Sequence, residues 1–223
     1  MLIAARNGFL VGKRILPPGA RWVEYLESTG TQYIDTGVVA TANNKCGCEI
    51  DFTPTVVSHG GTSNANTICV TGANSIAASG FELRWQHTTA VRVEIGGSYG
   101  NYKTFVTTAS ELLNFRTVAA NMNGAIRYEN SNINRSLSVA PRDYGFVSGS
   151  VLLFGIRRNA VVQESTLIWA KMYQAKYYLD STLVRDFAPI AIGTTGYMLD
   201  LLTGEYEQYG NKGTGDFVIG PDL

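Results

Sequence analysis

Glu49 and Asp51, two acids two residues apart, have a spacing that could do chemistry. They lie in K-C-G-C-E-I-D-F-T, where Cys46, Cys48, Ile50 and Phe52 alternate with Lys45, Gly47, Glu49 and Asp51. A period of two marks a strand with one buried face, so both carboxylates project from the other face. Hydrolysis of a glycosidic bond needs two carboxyl groups flanking it, ~5–5.5 Å apart in a retaining enzyme. Further along the strand stand Thr53 and Pro54, so no third acid follows. A polar outer face accounts for Glu49 and Asp51 equally well, and the expectation is a chain without enzymatic activity.

Other constellations are thinner. Gly96-Gly97-Ser98-Tyr99-Gly100 spells G-x-S-x-G, but a nucleophile elbow joins a strand to a helix, and here a strand-like run follows. The stretch reads as a glycine-rich turn. The two histidines, His59 and His87, fall in short polar connections. Three cysteines, Cys46, Cys48 and Cys69, are an odd number and no disulfide framework. They read as small buried thiols, with a bridge from Cys69 to one of the others left open. Zinc is not expected, because no second cysteine pair completes a ligand set. Calcium stays open as a cofactor. It needs oxygen ligands converging from loops; Asp35, in a D-T-G turn, is the metal candidate, with Asn64, Asn66 and Asp200 behind it.

For ligand binding, the best local concentration is Arg84, Trp85 and Gln86 with Tyr99 and Tyr102. Aromatic rings can stack on a pyranose while amide and guanidinium groups meet its hydroxyls. Against this, Trp85 is in register with Phe81 and Leu83. That phase makes Trp85 core and leaves Arg84 and Gln86 outside.

The elements that would position these residues are strands. Lys45–Thr53 is one, and Thr67–Thr71 is a short one. Phe81–Gln86 and Val91–Ile95 form a hairpin, and Tyr102–Thr107 follows as a strand. Phe115–Asn121 and Ala125–Glu129 form another hairpin across Asn123-Gly124, a strong hairpin turn. His59–Asn66 and Gly72–Gly80 read as loops of small residues, Val139–Ser150 as an irregular connection, and Ser110–Phe115 as one short helix. Val151–Arg157 is almost continuously apolar and predicts a central core strand. Ile168–Leu179 is a long strand with room for a bulge, turned by Asp180-Ser181-Thr182 into Leu183–Ile190.

The bulk numbers suit this reading. The chain has 223 residues, 45% of them hydrophobic, enough for one all-β domain with a full core. Its 24 glycines suit many turns. Lys+Arg and Asp+Glu are 18 each, a balance that argues against nucleic acid as a partner and gives no reason to expect an anionic membrane. No run reaches the ~20 apolar residues of a membrane span. Residues 1–12 are apolar but interrupted by Arg6-Asn7-Gly8, the wrong order for a secretory leader. Pro17-Pro18-Gly19 divides an N-terminal extension (1–20) from the main domain (21–223). The extension reads as a loose tail, as a strand of its own domain, or as an arm that docks on another subunit through Ile3, Phe9, Leu10 and Val11.

Three stretches carry a resemblance. W-V-E-Y-L-E-S-T-G-T-Q-Y-I-D-T-G (22–37) opens the domain, L-V-R-D-F-A-P (183–189) lies in its last third, and Y-G-N-K-G-T-G-D-F-V-I-G (209–220) closes it. Together they resemble a family of concanavalin A-like (laminin-G-like) jelly-roll domains found in gut bacteria and their phages. The resemblance spans about residues 20–220 and is densest at the two ends. It implies an all-β jelly-roll sandwich of two antiparallel sheets. It further implies a phage virion decoration or adhesion protein at the virion surface. Such a protein would present the domain to host glycan and hold other virion subunits through residues 1–20. A secreted or cell-surface carbohydrate-binding protein of a gut bacterium is the alternative. Laminarinase- and lichenase-type hydrolases resemble this fold too, but they carry E-x-D-x-E or E-x-D-x-x-E where this chain stops at Asp51.

Overall fold

A computed structural model describes residues 16–39, 46–56, 67–75, 78–86, 90–95, 102–106, 109–122, 125–138, 149–158, 160–163 and 167–223; at 67–69, 74–75, 78–82, 84–86, 90–95, 102–106, 109, 121–122, 125–126, 137–138 and 158 it describes the backbone alone. In chain order the strands are β1 (Ala20–Trp22), β2 (Leu26–Thr29), β3 (Ile34–Asp35), β4 (Cys46–Pro54), β5 (Thr67–Ser75), β6 (Ala78–Gln86), β7 (Ala90–Ile95) and β8 (Tyr102–Val106). After a one-turn helix α1 (Ala109–Leu112) come β9 (Thr117–Met122), β10 (Ala125–Glu129), β11 (Asn134–Ser138), β12 (Leu152–Leu153), β13 (Arg157–Arg158) and β14 (Val161–Val162). The last are β15 (Trp169–Leu179), β16 (Thr182–Ile192), β17 (Thr195–Asp200) and β18 (Val218–Ile219). No described helix is long and apolar enough to cross a membrane.

These strands make an all-β sandwich of two largely antiparallel sheets. The larger sheet runs β1-β16-β15-β4-β9-β10-β11, with β17 on β16 and β2 between β15 and β18. The smaller runs β14-β13-β5-β6-β7-β8, with β12 linking β3 to β5. Alternation fixes the faces. Cys46, Cys48, Ile50 and Phe52 of β4 are wholly buried, as are Ala175 and Tyr177 of β15, and they meet Val70, Ala73 and Leu83 of the smaller sheet in one core. The Thr71 hydroxyl and the Tyr177 phenol, both buried, share a 2.8 Å hydrogen bond across the layers and so satisfy each other. Burial pushes the Cys46 thiol up to about 12, which makes it an inert core group, as expected for a small buried thiol. The side chain of Cys69 lies outside the described residues, and with it the question of a bridge.

Two stretches depart from expectation. Val151–Arg157 is buried at its first six positions, but it is no continuous strand. Leu152 and Leu153 pair with β3 and β5, Phe154 then takes φ +68°, and Arg157 resumes parallel to β5. A run buried on both faces lacks the alternation that would have shown the break. Gly72–Gly80, expected as a loop, instead supplies the end of β5 and the start of β6. Its small residues fill the ladder because antiparallel backbone pairing does not require large side chains.

The opening stretch does not fold back on itself. β2 joins the larger sheet and β3 the smaller, so Ser28–Gln32 carries the chain from one layer to the other. The C-terminal segment locks this crossing. Val218 and Ile219 pair with Glu27 and Leu26. Lys212 N–H donates to the Tyr33 carbonyl at 2.9 Å, and Thr214 N–H to the Thr31 carbonyl at 3.1 Å. Gln32, 2% exposed, accepts from Thr29 N–H at 2.8 Å and donates to the carbonyls of Thr214 and Asp216 at 3.2 and 3.1 Å. Two of the three stretches that carry the resemblance are therefore one structural knot.

Candidate functional site

The face of β4 turned away from the core carries Glu49 and Asp51, as alternation requires. The antiparallel register lines Glu49 up with side chains from five other strands. Asp186 (β16), Lys176 (β15), Glu49 (β4), Ala120 (β9), Arg127 (β10) and Ser136 (β11) form one row across the larger sheet. The next row holds Gln174, Asp51, Val118, Glu129 and Asn134. Neither row follows from any one segment, because the pairings join residues up to 127 positions apart.

The row has a closed end and an open end. Lys176 and Asp186 are 6% and 8% exposed; the ammonium donates to Glu49 Oε1 at 3.3 Å and Asp186 accepts from Gln174 at 2.8 Å. The Arg127 guanidinium is more open, with its side chain 47% exposed. It lies between two carboxylates, 3.6 Å from Glu49 Oε2 and 3.5 Å from Glu129 Oε2. Between the ends the floor is Ala120, 8% exposed. Tyr178 borders the row, directly opposite Gly47 on β4. Partial burial, then the nearby Glu49 and Asp186 carboxylates, push its phenol pKa up, because each makes a second negative charge there costlier.

Asp51 belongs to a different arrangement. Its two oxygens accept from Arg116 Nε and Nη2 at 2.9 and 2.7 Å, a bidentate pair of fixed geometry. The same guanidinium lies 3.9 Å from the centroid of the Tyr173 ring, Tyr173 meets Tyr25 edge-on at 5.8 Å, and Lys171 lies 4.6 Å over Tyr25. A cation thus lies over one face of each ring, and the cluster ties β4 and β15 to Tyr25, just ahead of β2. Glu49 and Asp51 are thus each tied to cations, Glu49 to Lys176 and Arg127 and Asp51 to Arg116.

Two of the metal candidates, Asp35 and Asp200, are engaged by the protein's own donors. Asp35 accepts from the Ser150 hydroxyl, from Arg157 Nη2 at 2.8 Å and from Gly37 N–H at 3.0 Å. Arg157 also reaches the Ser150 hydroxyl at 2.5 Å. Burial alone would raise the Asp35 pKa, but these donors outweigh it and hold the carboxyl below its ordinary value. A carboxylate ringed by donors is a tie between β3 and the β12–β13 segment. Asp200, wholly buried, likewise accepts from the N–H groups of Asp186 and Leu202 at 3.2 and 3.0 Å and from Thr203 at 3.1 Å, with Arg185 at 3.7 Å. Arg185 and Asp186 of the L-V-R-D-F-A-P stretch therefore help fasten β16 to the β17 turn. Among the described residues no group of three or more His, Cys, Asp or Glu is placed to hold a metal ion. Asn64, Asn66 and both histidines lie outside the described residues.

Arg84, Trp85 and Gln86 fall on β6 and Tyr102 on β8, in the smaller sheet. The pairing Glu82–Glu94–Tyr102 puts positions 84 and 102 on one face. Position 85 shares the strand face of Leu83, which is buried. The side chains of these residues, all of Tyr99 and the G-x-S-x-G stretch lie outside the described residues. Arg127, Glu129, Lys176 and Tyr178 were missed as site residues. Their strands were expected, and alternation marks each as outward-facing, but only strand order brings them to Glu49.

No model of a known protein family matches this chain, and no curated protein matches its sequence.

Proposed function

We propose that the chain is a non-enzymatic binding and structural module. In this reading it is a virion decoration or adhesion protein that turns a concanavalin A-like, laminin-G-like sandwich toward host glycan. The observation that carries the binding half is the open cluster of Arg127 with Glu49 and Glu129 on the outer face of the larger sheet, with Tyr178 on the same face across β4 and β9. It combines a half-buried aromatic ring with a few placed polar groups, the usual composition of a sugar site. The two-sheet architecture is compatible with the proposed jelly roll. The virion setting is supported by the resemblance of Trp22–Gly37, Leu183–Pro189 and Tyr209–Gly220 to domains of phages and gut bacteria.

A glycan array probed with the full chain tests the binding half, and a blank array overturns it. Deleting residues 1–15, which spares β1, tests the arm: the domain stays folded and attachment to the particle is lost. Recovery of the chain from culture medium, with none in purified particles, favours the secreted lectin instead. Polysaccharide turnover that disappears in Glu49→Gln overturns the non-enzymatic reading.

A further inference from the structure

Resting on that reading, we propose that the outer-face row takes an electrically neutral, hydroxyl-rich glycan, and that Arg127 with its two flanking carboxylates is the contact that selects it. The guanidinium lies 3.6 Å from Glu49 and 3.5 Å from Glu129. Both separations exceed the ~2.7–3.2 Å of an N–H···O hydrogen bond. A sugar hydroxyl accepts and donates at once. It can take an N–H from Arg127 while giving its own proton to Glu49 or Glu129, closing each gap. A sulfate or phosphate group, or the carboxylate of a uronate, offers acceptors without that proton and would face two carboxylates with one guanidinium between them. The buried end of the row adds no net attraction for an anion, because the Lys176 ammonium is bound to Glu49 and Asp186 lies in the same row. Tyr178 supplies the apolar contact. Its strand β15 is separated from β10 by β4 and β9, about 14 Å of sheet, so an oligosaccharide of several units, not a single pyranose, reaches from Arg127 to the ring.

The test is titration of the full chain with neutral cello-, manno- and galacto-oligosaccharides, and with polygalacturonate and dextran sulfate, at low and high salt. Neutral oligosaccharides bind, salt changes their affinity little, and Arg127→Ala and Tyr178→Ala each weaken binding about tenfold or more. Glu129→Lys shifts preference toward polygalacturonate. Arg127 and Glu129 are exposed, so Arg127→Gln and Glu129→Lys stay folded even where Tyr178→Ala does not; unchanged thermal midpoints verify this. A parent chain that prefers polygalacturonate or dextran sulfate, with affinity lost at high salt, overturns the inference and leaves the glycan reading standing. Neutral binding unaffected by Arg127→Gln also overturns it. Failure of every probe, together with a blank array, removes the glycan reading itself.

Discussion

Gln32 is polar and yet 2% exposed, and each end of its amide has a task. Its oxygen takes the Thr29 N–H and its nitrogen serves the carbonyls of Thr214 and Asp216. Gln32→Ala takes this partner from the Thr29 N–H and the Asp216 carbonyl, and leaves the Thr214 carbonyl with the Thr31 hydroxyl alone. Since each such group costs about 1–3 kcal/mol and the costs overlap, we expect a loss of about 3 kcal/mol in urea unfolding. Gln32→Glu should be at least as damaging, because a carboxylate oxygen would replace the nitrogen that faces two carbonyls. A harmless Gln32→Glu would show that shape alone matters there. Asp35 makes a second prediction at this scale. Its donors stabilise the charged form, so its folded pKa lies below the ordinary 3.8. Its contribution to stability is therefore fully present above about pH 4 and is lost as pH falls through the lowered folded value. Asp35→Asn should flatten the acid limb of a stability–pH curve while leaving its shape near neutrality unchanged. Sequence alone reads Asp35 as a turn residue or a metal ligand. The deciding partners, Ser150 and Arg157, stand 115 and 122 residues away, so local reading had no access to them.

At the scale of elements, alternation located most strands because one face of each meets the core. β4 was expected at Lys45–Thr53 and spans Cys46–Pro54; β15 was expected from Ile168 and spans Trp169–Leu179, with register shifts at Met172/Gln174 and Tyr177/Tyr178. Legibility failed where burial is two-sided, as at Val151–Arg157, and where small residues conceal the period, as at Gly72–Gly80. The outer-face row was half legible for the same reason: each strand showed which side chains point out, but not which strands are neighbours. Close approaches between elements are just as invisible locally. A Cβ on Gly213 would lie 1.9 Å from the Thr31 carbonyl oxygen, so the C-terminal segment can press on the opening crossing only without a side chain there. Gly30 has φ +89°, and a Cβ on it would lie 1.7 Å from the Trp169 indole nitrogen. Gly213→Ala requires two backbones to part, whereas Gly30→Ala requires an indole to move and a residue to hold positive φ. We expect both to cost about 2–4 kcal/mol, with Gly213→Ala the more severe because backbone cannot rotate away. Paired denaturant titrations measure the order.

For the whole molecule, the opening stretch from Arg21 and the closing stretch 210–223 are parts of one structure. Arg21 pairs with Asp222 at 2.7 Å, and Leu223 N–H donates to the Trp22 carbonyl at 3.1 Å. Between these contacts and the Gln32 knot, residues 210–223 supply β18, the bridge from Gly210 to Tyr197, and Phe217, which stacks on Phe154 at 5.0 Å. Phe217 is 4% exposed, and burying one such ring contributes about 2–3 kcal/mol. Removing the segment also strips partners from Thr31, Gln32 and Tyr33, so the losses fall together at the crossing between the layers. A chain ending at Tyr209 should therefore lack a cooperative thermal transition in calorimetry, whereas one ending at Pro221 should keep the transition with a midpoint only a few degrees lower. A synthetic peptide of residues 210–223, added in excess to the shortened chain, should restore cooperativity, because it binds the folded state and draws the equilibrium toward it. An unchanged midpoint in the chain ending at Tyr209 would show instead that the sandwich closes without its last strand, and that the resemblance at the C-terminus marks something other than the lock on the opening crossing.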